Sequence, residues 1–274
     1  MDFLLLGSNY FQKSLIRQGH GVIWAGDHPD CDLCLPLSRL DLPHILAKLS
    51  FSPQAVILTD DLGRRVWPTG LEKTSALKVW YAVDGPINYF WQKHYAPLFD
   101  LVLADQKDCA ERLGRLYSSK VHWLPVGVDT KIYAGPPEKK THDLGFVGVV
   151  NGKVRPKRSR IINLLKHRYR LCASGGRRDE WVSPKEAALL YRRSRLVLNE
   201  NLFDGVTTRI FEAMASGTML LTEAGGNGLT DLFIPGEDLA CYGPENLIEL
   251  TDFYLADEEE RERVAARGRD KVLA

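Results

Sequence analysis

Apolar residues in this chain of 274 fall into short, nearly unbroken runs, separated by stretches where apolar and polar positions recur at helical spacing. In the first half the runs are DFLLLG (2–7), GVIWAG (21–26), AVILTDD (55–61), KVWYAVDG (78–85), FDLVLADQ (99–106) and VHWLP (121–125). Glycine, proline or acidic residues bound them, and YFQKSLIRQGH between the first two reads as a helix stopping near Gly19. A run that is apolar throughout, rather than alternating, belongs to a strand covered on both faces. Such runs alternating with helices predict a parallel sheet with helices on either side.

The pattern breaks over VGVDTKIYAGPPEKKTHD (126–143), where prolines and polar residues replace the apolar runs. This break predicts a linker at 134–143, between a first domain at 1–133 and a second at 144–274. After it the alternation restarts. LGFVGVV is a strand, and RSRIINLLKHR a helix with Ile161, Ile162, Leu164 and Leu165 on one side. YRLCASG is a strand. SPKEAALLYRRS is a helix with Ser183 as N-cap, Pro184 at its first position and Glu186 at its third, a capping box. RLVLNEN is a strand, and DEEERERVAARGRDKVLA reads as a charged surface helix. The expected fold is α/β: two Rossmann-like, doubly wound parallel-sheet domains facing a cleft. In such sheets ligands bind beyond the carboxyl ends of the strands.

Composition narrows the class. A hydrophobic fraction of 45% and a charged fraction of 26% are those of a soluble globular protein. No run of about 18 apolar residues suggests a transmembrane segment. The N-terminal MDFLLLGSNY has neither a basic region nor a small-residue cleavage site, so it reads as a core strand and the expected location is cytoplasmic. The five cysteines have no regular spacing. Cys31 and Cys34 form a lone CxxC near His28 and Asp30, for which buried free thiols are a better reading than a metal site. The net charge of +1 hides an asymmetry: residues 134–200 hold 16 Lys/Arg against 6 Asp/Glu, and residues 201–274 hold 6 against 15. The basic block suggests an anionic ligand, although LLKHRYRL within it reads as a solvated helix face. Few aromatics interleave with it, so nucleic acid is not the leading partner.

The densest chemistry lies in FDGVTTRIFEAMASGTMLLTE (203–223). A strand ending near Asn199 delivers the chain to Asp204 and Gly205, and a helix begins at about Thr207. The unpaired N–H groups of a first helical turn form an anion site. Gly205 lets a ligand approach the backbone, and Thr207 and Thr208 add hydroxyl donors. Glu212, one turn beyond Thr208, can accept both hydroxyls of a ribose. The bland alternatives are a capping role for Asp204 and a solvated pairing of Glu212 with Arg209. Ala213, Ala215, Ser216 and Gly217 read as packing residues that seat the helix on the sheet.

These same residues carry a family resemblance. DGVTTRIFEAMASGTMLLT resembles the Glu-x7-Glu segment of GT-B retaining glycosyltransferases of the family 4, or group 1, type. Asp204 falls at the first acid and Glu212 at the second. WLPVGVDTKIY (123–133) resembles the interdomain hLPxGVDxxxF of those enzymes. SPKEAALLYRRSRLVLN and WYAVDGPINYF resemble the spore-maturation (CgeB-like) branch. The resemblance spans roughly 77–270 and is most specific at 204–217. It implies a metal-independent, retaining transferase without a cofactor, using a nucleoside-diphosphate sugar, a UDP-sugar above all, as co-substrate. The second domain would bind the donor and the first the acceptor. The acceptor is open: a protein, glycan, lipid head group, small molecule or modified nucleic acid. Glu212 would bind the ribose, and Asp204 the transferred sugar or leaving diphosphate. Lys153, Arg155, Lys157 and Arg158, with Arg158 favoured, would face the diphosphate, and Asn199, Gly205, Thr207, Thr208 and Arg209 complete the donor-binding set. If the enzyme inverts, a base is needed from the first domain, with Asp84 the best candidate and His94 the second. The DxD-like Asp30-Cys31-Asp32 and the pair Asp60-Asp61 carry little weight. Asp204 departs from the family's glutamate by one methylene, and Met219-Leu220 stand where Pro-Val is usual. The alternatives are a non-catalytic nucleotide-sugar-binding scaffold and a nucleotide-sugar epimerase or hydrolase. A nicotinamide oxidoreductase is excluded because Gly7-Ser8-Asn9-Tyr10 is not a GxGxxG turn.

Overall fold

A computed structural model of the chain describes residues 1–35, 40–59, 67–175 and 182–274; Asp60 and Asp61 lie outside these. The chain divides into two compact units, Met1–Pro125 and Val126–Ala274. The first is built on strands β1 (Asp2–Gly7), β2 (Gly21–Gly26), β3 (Leu33–Cys34), β4 (Ala55–Thr59), β5 (Leu77–Ala82), β6 (Leu101–Ala104) and β7 (Val121–Trp123). They form one seven-stranded sheet in the order β3-β2-β1-β4-β5-β6-β7, and every pairing is parallel. Helices α1 (Gln12–Arg17), α2 (Leu42–Leu46), α3 (Gly85–Tyr95) and α4 (Lys107–Tyr117) belong to this unit. Its core joins Leu4, Leu6, Val56, Leu58, Trp80 and Val102 of the strands to Ile45, Tyr95 and Leu113 of the helices.

The second unit holds β8 (His142–Val147), β9 (Leu171–Ser174), β10 (Ser194–Asn199), β11 (Met219–Glu223) and β12 (Ala240–Tyr242), all parallel, in the order β12-β11-β10-β8-β9. Its helices are α5 (Thr130–Tyr133), α6 (Pro156–Lys166), α7 (Pro184–Arg192), α8 (Thr208–Ala215), α9 (Leu229–Leu232), α10 (Leu247–Ala256) and α11 (Glu258–Leu273). The two faces of this sheet make two cores. Val197 and Leu220 point to one, with Tyr133, Tyr191, Ile210 and Met214. Their neighbours Leu196, Leu198, Met219 and Leu221 point to the other, with Ile162, Leu165, Tyr254 and Val264. Alternation of side chains along a strand is therefore compatible with an uninterrupted apolar run, because both faces are covered.

Several local expectations hold. Ser183 accepts from Glu186 N while the Glu186 side chain accepts from Ser183 N, with Pro184 at the first helical position. Helix α8 stops where the sequence places Gly217, at φ 68°. There Gly217 N donates to Met214 O and Thr218 N to Ala213 O, the two bonds of a Schellman motif. Other details differ. In α6 Ile162 and Leu165 are buried with Arg158, whereas Leu164 is exposed. The C-terminal helix α11 is charged but not merely superficial: Arg261, Val264, Ala265 and Gly268 are buried, and it packs on α8 and β11. Residues 126–133 are no bare connection: they include α5, whose Tyr133 joins the core of the second unit. Among the described residues, no helix is long and apolar enough to cross a membrane.

Candidate functional site

Strand order reverses in the second sheet between β10 and β8, which pair directly although β9 lies between them in sequence. At such a reversal the connections leave to opposite sides of the sheet and open a crevice beyond the strand ends. One side chain spans that point. Arg209, in the first turn of α8, donates from Nε and Nη2 to Val147 O at 3.0 and 2.6 Å and from Nη1 to Asn199 Oδ1 at 2.7 Å. Its guanidinium lies over the Phe146 ring, 4.5 Å from the centroid. A β-carbon at Gly148 would come within 2.8 Å of Arg209 Nη2, so the glycine leaves room for this bridge. Burial pulls the Arg209 pKa down, and Glu212 and Tyr191 oppose it.

Asn199, fully buried, is the hub beneath. Its Nδ2 donates to Asn201 Oδ1 at 2.7 Å and to Thr222 Oγ1 at 2.9 Å. Its Oδ1 accepts from Arg209 and, at 3.1 Å, from Thr207 Oγ1. Thr207 is the N-cap residue of α8, but its hydroxyl turns to Asn199 instead of capping the helix. Ile210 N donates to Thr207 O at 3.1 Å, while the N–H groups of Thr208 and Arg209 keep their donor capacity. Asn199 and Arg209 build this corner of the site by holding the ends of β8, β10 and α8 together.

Asp204 takes the left-handed conformation at φ 46°, a region that aspartate tolerates better than most residues. The loop is fixed against the one that follows β11: Asn227 N donates to Asp204 O at 3.4 Å, and Gly205 bridges Asn227. Gly205 is buried, whereas the Asp204 side chain is exposed and has no hydrogen-bond or ion-pair partner among the described residues.

Glu212 is half-buried rather than a solvated partner of Arg209, and its hydrogen bonds come from two tyrosines. Tyr133 Oη donates to Oε1 at 2.9 Å and Tyr191 Oη to Oε2 at 3.3 Å. Burial raises the carboxyl pKa, opposed by the Tyr133 hydrogen bond, the Arg209 charge and the Tyr191 hydrogen bond. Neither tyrosine was singled out by the sequence. The available signal was a general one: a buried tyrosine hydroxyl needs a partner.

The basic residues after β8 separate into two kinds. Arg158 is buried at the start of α6 and donates from Nε to Glu200 Oε2 at 2.8 Å, with further bonds to Val149 O and Glu200 O. Lys157 Nζ lies 2.8 Å from Glu223 Oε2 and 3.7 Å from Glu200 Oε1. Both cations already have carboxylates at the strand ends. Lys153 is exposed and Arg155 half-buried, and neither side chain has a partner among the described residues. Much of the remaining basic block is matched by acids of the same unit: Arg170 and Arg195 by Asp143, Arg168 by Asp252, and Arg193 by Glu138.

In the first unit, Asp84 sits at the N-terminus of α3 with φ 53° and His94 in its last turn. Ten residues of helical rise keep them about 15 Å apart, so they do not form a single acid–base pair. The structure instead brings Asp105, unremarked in the sequence, under Asp84. Asp84 N donates to Asp105 Oδ2 at 3.1 Å, and Gln106 Nε2 to the same oxygen at 3.2 Å. Burial raises the Asp105 pKa to about 6. Near the CxxC, Asp32 accepts from Trp24 N at 2.8 Å and Gln12 Nε2 at 2.9 Å, and no three His, Cys, Asp or Glu among the described residues are placed to hold a metal ion.

Residues 155–274 match the family model described as glycosyl transferase-like. No curated protein matches the sequence. Similar solved structures include sucrose-phosphate synthase from Thermosynechococcus elongatus, with 14% identity over 100% of this chain and 94% of that one, at a TM-score of 0.64. A glycosyltransferase from Rickettsia africae has 12% identity over 99% of this chain and 93% of that one, at a TM-score of 0.63. Anabaena HepE, solved with UDP and glucose, has 13% identity over 99% of this chain and 94% of that one, at a TM-score of 0.59. With two parallel sheets and these neighbours, the chain has the GT-B glycosyltransferase fold, and the glycosyl transferase-like match lies within its second unit.

Proposed function

We propose that the chain is a glycosyltransferase that moves a sugar from a nucleoside-diphosphate sugar, a UDP-sugar above all, to an acceptor held by the first unit. The observation that carries this reading is the arrangement of α8 at the strand-order reversal of the second sheet. There Asp204 and Gly205 follow the carboxyl end of β10, the N-cap side chain of α8 leaves its first N–H groups uncapped, and Glu212 lies one turn further along the helix. HepE, similar in fold, was solved with UDP and glucose, and the glycosyl transferase-like match covers these residues.

In this reading the first-turn N–H groups of α8 and the hydroxyl of Thr208 receive the diphosphate, and Glu212 accepts the ribose hydroxyls. Exposed Lys153 and half-buried Arg155 are better placed than Arg158 to add charge, since Arg158 is committed to Glu200. The reaction breaks the bond from the anomeric carbon to the phosphate oxygen and forms one to an acceptor oxygen. Negative charge grows on the departing diphosphate, so fixed N–H donors and cations favour the transition state over the ground state. In a retaining, metal-independent course the departing phosphate takes the acceptor's proton, and Asp204 lies against the transferred sugar. In an inverting course Asp84 serves as the base.

The test is a panel of UDP- and GDP-sugars read by thermal shift and by nucleotide release, with Glu212→Ala and Asp204→Ala in parallel. Glu212→Ala is expected to weaken donor binding, and Asp204→Ala to lower turnover with binding kept. Neither stabilisation nor release with any donor overturns the reading. Binding without turnover favours a non-catalytic scaffold, and release that needs no acceptor favours a hydrolase. The anomer of the product decides between retention and inversion, and activity in excess chelator tests metal independence.

A further inference from the structure

We propose that Tyr133 and Tyr191 act as a pair of positioning residues that hold the Glu212 carboxylate in place for the two ribose hydroxyls of the nucleotide. The inference deepens the donor reading and rests on it. Its basis is geometric. Each carboxylate oxygen takes one tyrosine hydroxyl, Oε1 from Tyr133 at 2.9 Å and Oε2 from Tyr191 at 3.3 Å. A carboxylate has about four lone-pair positions, so one remains on each oxygen, the number a vicinal diol requires. The two rings lie nearly parallel, 24° apart with centroids at 6.3 Å, which brings their hydroxyls to one side chain. Both rings are buried, at 5% and 1% exposure, in the core that also holds Ala187, Val197 and Ile210. Their rotamers are therefore fixed by packing, and the carboxylate they grip is fixed with them.

Packing alone would be served by phenylalanine. In the motif that WLPVGVDTKIY resembles, the last position is Phe, and this chain places Tyr133 there. The additional atom is the hydroxyl, and Glu212 is where it points. The ionisable groups facing Glu212 are Tyr133 from α5, Tyr191 from α7 and Arg209 from α8 itself. Arg269 of α11, which also packs on α8, lies instead beside Gly217 at the far end of the helix. Burial raises the Glu212 pKa, and the donated hydroxyls oppose that rise, favouring the ionised form that accepts from ribose. Without the Tyr133 hydroxyl the carboxyl pKa rises further. Donor binding, which needs the ionised group, is then lost at a higher pH as pH falls.

The experiment is calorimetric binding of UDP and of 2′,3′-dideoxy-UDP from pH 5 to pH 8, to the full chain and to Tyr133→Phe, Tyr191→Phe and Glu212→Ala. Tyr133→Phe is expected to raise the midpoint of UDP binding by about one pH unit, about 1.4 kcal/mol, the scale of one hydrogen bond to a charged acceptor. Tyr191→Phe, with the longer bond, shifts it the same way by less. Neither variant changes affinity for the dideoxy nucleotide, whereas a packing defect would weaken both ligands alike. The inference is overturned if Glu212→Ala loses UDP affinity while both phenylalanine variants keep the wild-type midpoint. It is equally overturned if they weaken UDP and dideoxy-UDP to the same extent. Absence of UDP binding by the unmodified chain, or retention of affinity by Glu212→Ala, overturns the donor reading and this inference with it.

Discussion

Replacing Asp105 by Asn should abolish a specific part of the pH dependence of stability. Asp105 is 4% exposed at the carboxyl end of β6. Its Oδ2 is served by Asp84 N and Gln106 Nε2, while Oδ1 has no partner among the described residues. Burial is the largest influence and takes its pKa from the ordinary 3.8 to about 6. Between these values the folded protein holds a proton that the unfolded chain has released, so stability falls as pH rises and stays low above the folded pKa. The difference of roughly 2 units at about 1.4 kcal/mol each makes the loss about 3 kcal/mol, of which about 2 kcal/mol falls between pH 4.5 and 7.5. Asparagine is isosteric: its carbonyl can replace Oδ2 and its amide Oδ1, and it does not titrate. The assay is urea unfolding of both proteins at the two pH values, followed by tryptophan fluorescence. Five of the six tryptophans precede Pro125, so the signal reports chiefly on the first unit. The quantity read is the change in the stability difference between the two proteins, in which any packing cost that is independent of pH cancels. It should favour the variant by about 2 kcal/mol more at pH 7.5 than at pH 4.5. A change below about 0.5 kcal/mol would refute the claim that Asp105 is protonated in this range.

Three further outcomes follow from named contacts. Arg209→Lys loses the fork that reaches Val147 O and Asn199 Oδ1 together, so stability to urea should fall by about 2–4 kcal/mol, with UDP affinity falling too. Gly268→Ala places a methyl against Asp238 O, with Met214 Cε at 2.8 Å, and should cost about 1–3 kcal/mol in thermal or urea unfolding because α11 must move off α8. Ser183→Ala removes the acceptor for Glu186 N at 3.3 Å and should cost about 1 kcal/mol, whereas Ser183→Gly should cost only a few tenths.

Much of the proposed donor site was legible because it is local in sequence. Asp204, Gly205, Thr207, Thr208 and Glu212 lie within nine residues, and a strand followed by a loop and a helix fixes which of them share a side. Roles that depend on distant partners were not legible. Arg158 looked available for an anion because α6 alone says nothing of Glu200, 42 positions away, which takes its Nε. Asn199 looked like a strand-end donor, whereas its amide is consumed by Arg209, Thr207, Asn201 and Thr222. Tyr133 and Glu212 are 79 positions apart, and no periodicity connects them. The basic block read as a field for anions because charge was summed along the chain, while the pairing of Arg170 and Arg195 with Asp143, and of Arg168 with Asp252 outside the block, is made only by the fold.

By itself the sequence determined the class of the fold and singled out α8, in the second domain, for the proposed donor site. Apolar runs, glycine stops and helix caps act over a few residues, and they fix strands, helices and their order whatever lies further off. Tertiary structure decided which polar groups have partners and which are left for a ligand. That decision follows from burial: once a charge or hydroxyl leaves water it must find a partner wherever the fold supplies one. Arg158 found Glu200 and Glu212 found Tyr133 and Tyr191, while the exposed Asp204, held at φ 46°, found no partner among the described residues.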